Sequence, residues 1–175
     1  YLVLSGSLNE GLPTDFYQII AETAKASGIK VIVDTSGEAL KKVLEKGVYL
    51  IKPNIGELAK LIGVERLALP EVEKAAKSLI EKGSAEIVVV SLGAEGAILV
   101  SKNQTEFVAA PKVIKKSTVG AGDSMVGGMV WALSQNKSLK EVLQWGVSCG
   151  TAATMNEGTQ LFKKEDAKKL FEGMP

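Results

Sequence analysis

A single rhythm in the first half of the chain limits the folds open to it: a short apolar run, then an amphipathic stretch that stops at glycine. Tyr1 to Leu4 reads as a buried strand, and Pro13 to Ala26 as a helix. Thr14 is its candidate cap, Phe16, Ile19, Ile20 and Thr23 fall at helical spacing, and Gly28 ends it. The β-branched run Val31 to Val33 is a second strand, ending at Asp34. Glu38 to Lys46 is a helix stopped by Gly47, and Val48 to Ile51 is the third strand. A short helix follows Asn54, another runs from Glu71 to Lys82 before Gly83, and Ile87 to Val90 is the fourth strand.

The second half changes pattern. Ala97 to Val100 and Glu106 to Ala109 form a strand pair with no helix between them, and helices then start near Asp123, Leu139 and Lys164. Strands apolar on both faces, alternating with helices, demand βαβ units around a mostly parallel sheet that is covered on both sides. The late strand pair adds a mixed edge. A chain of 175 residues is by default one domain of this α/β class. In such sheets ligands bind at the carboxyl ends of strands. That rule selects the loops after Leu4, Val33, Ile51 and Val90.

Composition then removes whole chemistries. The chain has no histidine, so Ser-His and Cys-His catalysis and the usual transition-metal sites are closed to it. Its one cysteine, Cys149, forms no internal disulfide, fits a reducing cytoplasm, and reads as a buried small hydrophobe in a helical run of small residues. A net charge of +1 with scattered basic residues gives no footprint for nucleic acid or anionic membrane. The apolar runs are too short to span a bilayer, and no signal peptide is evident. Catalysis here rests on carboxylates, lysines, backbone dipoles or a hard cation.

The stretch from Ser117 to Gly128, STVGAGDSMVGG, carries the strongest chemical signal. It is not a dinucleotide fingerprint, because Met125 stands where the third glycine is needed. It is not a P-loop, since no Gly-Lys pair precedes Ser or Thr. One reading is a helix capped by Asp123 or Ser124, with Met125, Val126, Met129, Val130 and Leu133 as its apolar stripe, and Gly127 and Gly128 allowing close packing. The other is an anion hole, in which Gly120 and Gly122 let N–H groups converge beside Asp123 at a helix N-terminus. An aspartate so placed can deprotonate a hydroxyl while the amides hold the phosphoryl group under attack.

Weaker signals lie elsewhere. Asn54 with Glu57 three residues later is a capping box, yet with Lys52 it stands at a strand's carboxyl end, where Glu57 can hold Mg²⁺ through water. Ser91, Gly93 and Gly96 suit a tight turn. Asn156 to Thr159 resembles a helix C-cap, and Trp131 and Trp145 read as packing residues.

With these residues assembled, the chain resembles the ribokinase-like (PfkB-type) sugar kinases over nearly its whole length. STVGAGDSMVGG matches that family's signature, and KPNIGE contains its N-x-x-E element. SGSL, DTSGEAL, VVVSLGAEGA and AATMNEGT follow the family's pattern as well. Within the family the chain is most similar to the bacterial minor 6-phosphofructokinases, with tagatose-6-phosphate kinases and 1-phosphofructokinases as near relatives. The resemblance implies a three-layer α/β/α fold and transfer of the ATP γ-phosphoryl to a sugar-phosphate hydroxyl. Asp123 would be the base, and amides around Gly120, Ala121, Gly122 and Asp123 the anion hole. Lys52, Asn54, Ser91, Gly96, Thr118, Val147 and Thr151 would line the ATP site, Asn54 and Glu57 would organise Mg²⁺ through water, and Ser7 would contact the sugar phosphate.

A monovalent cation, K⁺, would use groups at Ser117, Val119, Ala153, Asn156, Gly158 and residue 160, where Gln160 replaces the family's arginine. A main-chain ligand tolerates that change. SGSLNEG also departs from the family's SGSLPPG after Ser7. Family members are about twice this length. The chain therefore corresponds to the carboxyl-terminal, nucleotide-binding half of a cytoplasmic enzyme, without the sugar-binding residues and the β lid through which relatives form homodimers. By itself such a half is expected to bind Mg-ATP weakly and catalyse nothing.

Overall fold

The computed structural model describes residues 1–175, and the chain separates into two compact units. The first comprises Tyr1–Ser91 with Leu99–Thr105, the second Leu92–Ile98 with Glu106–Pro175.

In the first unit, strands β1 (Leu2–Ser5), β2 (Val31–Asp34), β3 (Val48–Ile51) and β4 (Ala85–Ser91) alternate with helices α1 (Phe16–Ala26), α2 (Gly37–Leu44), α3 (Ile55–Ile62) and α4 (Val72–Glu81). Neighbouring strands are parallel, with Leu4 opposite Val33, Val33 opposite Ile51, and Ile51 opposite Val88. The sheet continues through β5 (Ala97–Ser101) and β6 (Thr105–Val108) in the order β1-β2-β3-β4-β5-β6. Only Lys102–Gln104 join β5 to β6, and so short a connection permits only an antiparallel pair. That is the mixed edge expected from the sequence. Val31, Ile32 and Val33 are consecutive and each at most 1% exposed, so both faces of β2 are covered. Burying each such side chain contributes about 1.5–3 kcal/mol. Helix α1 packs on α2, and α3 on α4.

Gly28, Gly47 and Gly83 follow α1, α2 and α4 at φ of 73°, 69° and 74°, which lets each helix reverse into the next strand. They border a cleft of about 250 Å³ at the amino ends of the strands, away from the ends where ligands bind in such sheets. The Lys25 ammonium donates to the carbonyl of Lys46 there, at 2.7 Å.

Local chemistry moved several boundaries. Helix α1 begins at Phe16 with Asp15 as N-cap and no side-chain cap bond, so Thr14 does not cap it. Its buried face is Ala21 and Ala24, while Ile19 is 52% exposed. The expected stripe is thus rotated toward small residues. The helix expected over Glu71 to Lys82 is α4, with these two residues as its N-cap and C-cap, and a 3-10 turn, Leu69–Glu71, leads into it.

The second unit is built on helices α5 (Ala121–Ser134), α6 (Leu139–Thr154) and α7 (Lys164–Glu172). Helices α5 and α6 run side by side along a seam of glycines. A Cβ on Gly128 would fall 2.7 Å from the Trp145 carbonyl and 2.8 Å from Cys149 Sγ, and one on Gly146 2.6 Å from Met129 Cγ. Gly127 faces open space, so of the glycine pair only Gly128 serves close packing. Cys149, Ala152 and Ala167 form a core against Trp145, Phe162 and Leu170. Trp145 stacks on Phe171 at 4.3 Å and meets Trp131 edge-on at 4.6 Å. Trp131 itself is 47% exposed, so it only half fits the packing role expected for it. No helix is long and apolar enough to cross a membrane.

Candidate active site

In the first unit the carboxyl ends of the strands are cross-tied. Gly6 donates its N–H to the Asp34 carbonyl at 3.0 Å, and Thr35 Oγ1 donates to the Gly6 carbonyl at 2.7 Å. The Tyr17 hydroxyl reaches the Ser5 carbonyl at 3.0 Å. Ser5 and Gly6 are thereby fixed, and Ser7 is displayed to solvent just beyond them.

One strand over, Lys52 is 7% exposed and its ammonium lies 3.2 Å from Asp34 Oδ1, whose side chain is 17% exposed. The parallel register of β2 and β3 brings these charges together. A lysine this buried needs a partner, and Asp34 supplies it. Sequence reasoning named Lys52 but passed over Asp34, Thr35 and Tyr17. An acid ending a buried strand inside a loop already selected for ligands was the signal for Asp34.

Asn54 and Glu57 form the full capping box of α3: Glu57 N–H donates to Asn54 Oδ1 at 2.9 Å, and Asn54 N–H donates to Glu57 Oε2 at 2.8 Å. The box leaves Glu57 Oε1 and Asn54 Nδ2 outside it. Ser91, at the end of β4, is bridged to Asn54 and donates its N–H to the Pro53 carbonyl at 3.0 Å. The first unit thus gathers Lys52, Asn54, Glu57 and Ser91 at the ends of β3 and β4.

In the second unit, Gly96 adopts φ 110° and ψ −132°, and any Cβ there would fall on the Val108 carbonyl. Its requirement for glycine is that of a turn in close backbone contact, as the sequence suggested.

The signature loop is entered through Gly120 at φ 75°, the N-cap of α5. This corrects the capping expectation: Asp123 is the third residue of the first turn, and Ser124 is buried one position further on. Neither is the cap, because a left-handed glycine has already begun the helix. Ala121 N–H turns back to the Thr118 carbonyl at 3.3 Å, and Ser124 N–H to the Gly120 carbonyl at 2.9 Å. Asp123 is exposed at the positive end of a helix of 14 residues.

The loop before it is tied to the end of α6. Lys116 and Ser117 N–H groups donate to the Thr154 carbonyl at 2.8 and 3.3 Å. Ser117 Oγ donates to the Gly158 carbonyl at 3.0 Å and accepts from Val119 N–H at 3.2 Å. Asn156 lies past the α6 cap, which is Met155, and reaches back with Nδ2 to the Ala152 carbonyl at 3.2 Å. Ala153 is buried and its carbonyl accepts from Asn156 N–H, while Gln160 is exposed and donates its N–H to Glu157. Ser117 Oγ thus links Val119, two residues on, to Gly158, far along the chain. Val147 and Thr151 on α6 are 5% and 9% exposed, which leaves each little surface for a ligand. Burial pushes the Cys149 thiol up to about 11, as befits an inert packing residue.

Residues 1–166 match the pfkB family of carbohydrate kinases. The chain belongs to this family. This PfkB-family chain is 44% identical over 171 residues to the ATP-dependent 6-phosphofructokinase isozyme 2 of Escherichia coli, covering 97% of the chain and 55% of that protein. It is 38% identical over 166 residues to the 1-phosphofructokinase of Bacillus subtilis, covering 94% and 54%. The crystal structure of Escherichia coli phosphofructokinase-2 in complex with potassium superposes with a TM-score of 0.94 at 44% identity, over 98% of this chain and 56% of that one. The fold is accordingly the ribokinase-like three-layer α/β/α arrangement with a mostly parallel sheet of six strands. The chain spans about half the length of these relatives.

Proposed function

We propose that the full-length protein transfers the γ-phosphoryl of ATP to a hydroxyl of fructose 6-phosphate, giving fructose 1,6-bisphosphate and ADP. This chain is its carboxyl-terminal, nucleotide-binding part. The reading rests on Asp123, a carboxylate in the first turn of a helix entered through a left-handed glycine. The acceptor oxygen attacks the γ-phosphorus, the bond to the β-phosphate oxygen breaks, and the hydroxyl proton passes to Asp123. The N–H groups of Gly120, Ala121 and Gly122 belong to the helix end that favours the anionic phosphoryl oxygens. Because phosphoryl transfer is mainly positioning and charge stabilisation, a base and an anion hole suffice without histidine.

Mg²⁺ suits the donors present. No group of three or more carboxylate, histidine or cysteine ligands occurs, and Mg²⁺ at phosphates typically takes one or two carboxylates with water. Glu57 and Asn54 would hold its waters, and the ion would neutralise the phosphates. Lys52, Ser91, Gly96, Thr118, Val147 and Thr151 would line ATP, and Ser7 the sugar phosphate. Main-chain and side-chain oxygens at Ser117, Val119, Ala153, Asn156, Gly158 and Gln160 would hold K⁺. The whole protein is proposed to be a cytoplasmic homodimer joined through a lid outside this chain. Tagatose 6-phosphate and fructose 1-phosphate are the alternative acceptors, because selectivity is expected mostly outside these residues.

In the full-length protein, Asp123→Asn is expected to lower kcat by roughly 10²–10⁴-fold while calorimetry still detects ATP binding. Turnover near wild type would remove Asp123 from this role. The chain of 175 residues alone is expected to bind Mg-ATP and to phosphorylate nothing. Phosphorylation of fructose 6-phosphate by it would overturn that part.

A further inference from the structure

Three hydrogen bonds beyond the end of β1 converge on Gly6. Its carbonyl accepts from Thr35 Oγ1 at 2.7 Å and from the Tyr17 hydroxyl at 3.2 Å, so both lone pairs are taken. Its N–H donates to the Asp34 carbonyl at 3.0 Å. Thr35 is 9% exposed and directly follows β2, while Tyr17 stands in the first turn of α1, so two elements grip the residue. The φ of 86° at Gly6 is a left-handed value that favours glycine and lets the chain leave the strand in this geometry. Planarity carries the grip one atom further. In a trans peptide the C=O and the following N–H point in opposite directions. All peptide bonds here are trans, and the Gly6 carbonyl is turned toward Thr35 and Tyr17, so the Ser7 N–H points away from them. No group of the chain accepts that N–H, and Ser7 is exposed. Ser7 thus offers two donors, N–H and hydroxyl, past the carboxyl end of a strand, where ligands bind in such sheets. Oriented main-chain N–H groups suit phosphate oxygens, and bonds to a charged acceptor are the stronger kind.

We infer that Thr35 and Tyr17 are positioning residues for the phosphate of the acceptor sugar. By holding the Gly6 carbonyl they turn the Ser7 main-chain N–H outward, and that N–H binds the phosphate beside the Ser7 hydroxyl. The inference rests on the proposed kinase reading and on the contact assigned there to Ser7.

The test uses the full-length protein with Mg-ATP and fructose 6-phosphate. Thr35→Val keeps the shape of the side chain and removes its donor. It is expected to raise the KM for fructose 6-phosphate roughly five- to tenfold, with kcat and the KM for ATP within about twofold, because a bond to a charged group weakens equally in ground and transition states. Thr35→Ser restores the hydroxyl and should return that KM to within about twofold of wild type. Tyr17→Phe removes the second donor to the same carbonyl and should raise the same KM about two- to fivefold, which reads the grip even where Thr35→Val does not fold. A crystal structure with fructose 6-phosphate bound should place a phosphate oxygen about 3 Å from the Ser7 nitrogen. An unchanged KM for fructose 6-phosphate in both variants would overturn the inference. An equal rise in the KM for ATP, or no rescue by Thr35→Ser, would mark a merely structural role and overturn it as well. So would a bound phosphate that touches only the Ser7 hydroxyl, or Ser7 not at all. A wild type inactive on fructose 6-phosphate would instead sink the kinase reading, and this role with it.

Discussion

Lys52→Met in the full-length protein separates the structural task of this lysine from any task toward nucleotide. The substitution removes the ammonium 3.2 Å from Asp34 Oδ1 and leaves a carboxylate only 17% exposed facing an apolar side chain. Removing one partner of a buried pair costs about 3–5 kcal/mol, because the remaining charge stays desolvated. Asp34 keeps some access to water, so about 2–4 kcal/mol is the expected loss. That corresponds to roughly 30- to 10³-fold in the folding equilibrium. Urea titration followed by circular dichroism reads the loss directly. Asp34→Asn added to Lys52→Met should recover more than about 1 kcal/mol, since the poorly solvated negative charge is then removed. A single-mutant loss below about 0.5 kcal/mol would refute the reasoning, for it would mean that the pair is loose or hydrated. ATP affinity measured on the double mutant then reports the nucleotide role alone.

Two further outcomes follow from the geometry. Gly96→Ala is expected to destabilise by about 2–4 kcal/mol, combining a backbone conformation open essentially only to glycine with a clash at the Val108 carbonyl; a thermal melt within 1 °C of wild type would contradict it. Cys149, buried and with its thiol raised from 9.0 to about 11, is expected to resist alkylation in the native protein at pH 8. Its folded pKa lies above the unfolded one, so its contribution is fully present below pH 9 and is lost as pH rises through about 11. Native alkylation as fast as in urea would show that the thiol is accessible, and a Cys149→Ala variant should lose part of the alkaline fall in stability.

Much of the fold was legible because local pattern and tertiary role agree in it. Val48–Ile51 is a strand as read, since its apolar run and the Gly47 before it leave no alternative. The starts of α6 and α7 were likewise plain. The start of α5 was misjudged because capping preference favours aspartate and serine, whereas a glycine at positive φ began the turn instead. The rotation of α1 escaped because a stripe of large residues is a stronger signal than two alanines, although small side chains allow the closer approach. Among the candidate residues of the two units, Asp123, Asn54 and Glu57 were legible as local motifs. The Asp34–Lys52 pair and the Ser117–Gly158 bond were not, because strand register and the return of α6 create them across long stretches of chain.

The ties from Lys116 and Ser117 to Thr154 and Gly158 bear on how far this polypeptide can be trimmed. The loop leading to Asp123 borrows its shape from residues more than thirty positions later. A shortened version ending after α5 would keep every letter of the signature and lose the mould in which it is cast. Grafting the signature into another scaffold would meet the same obstacle unless the last turn of α6 and the segment through Gly158 travelled with it.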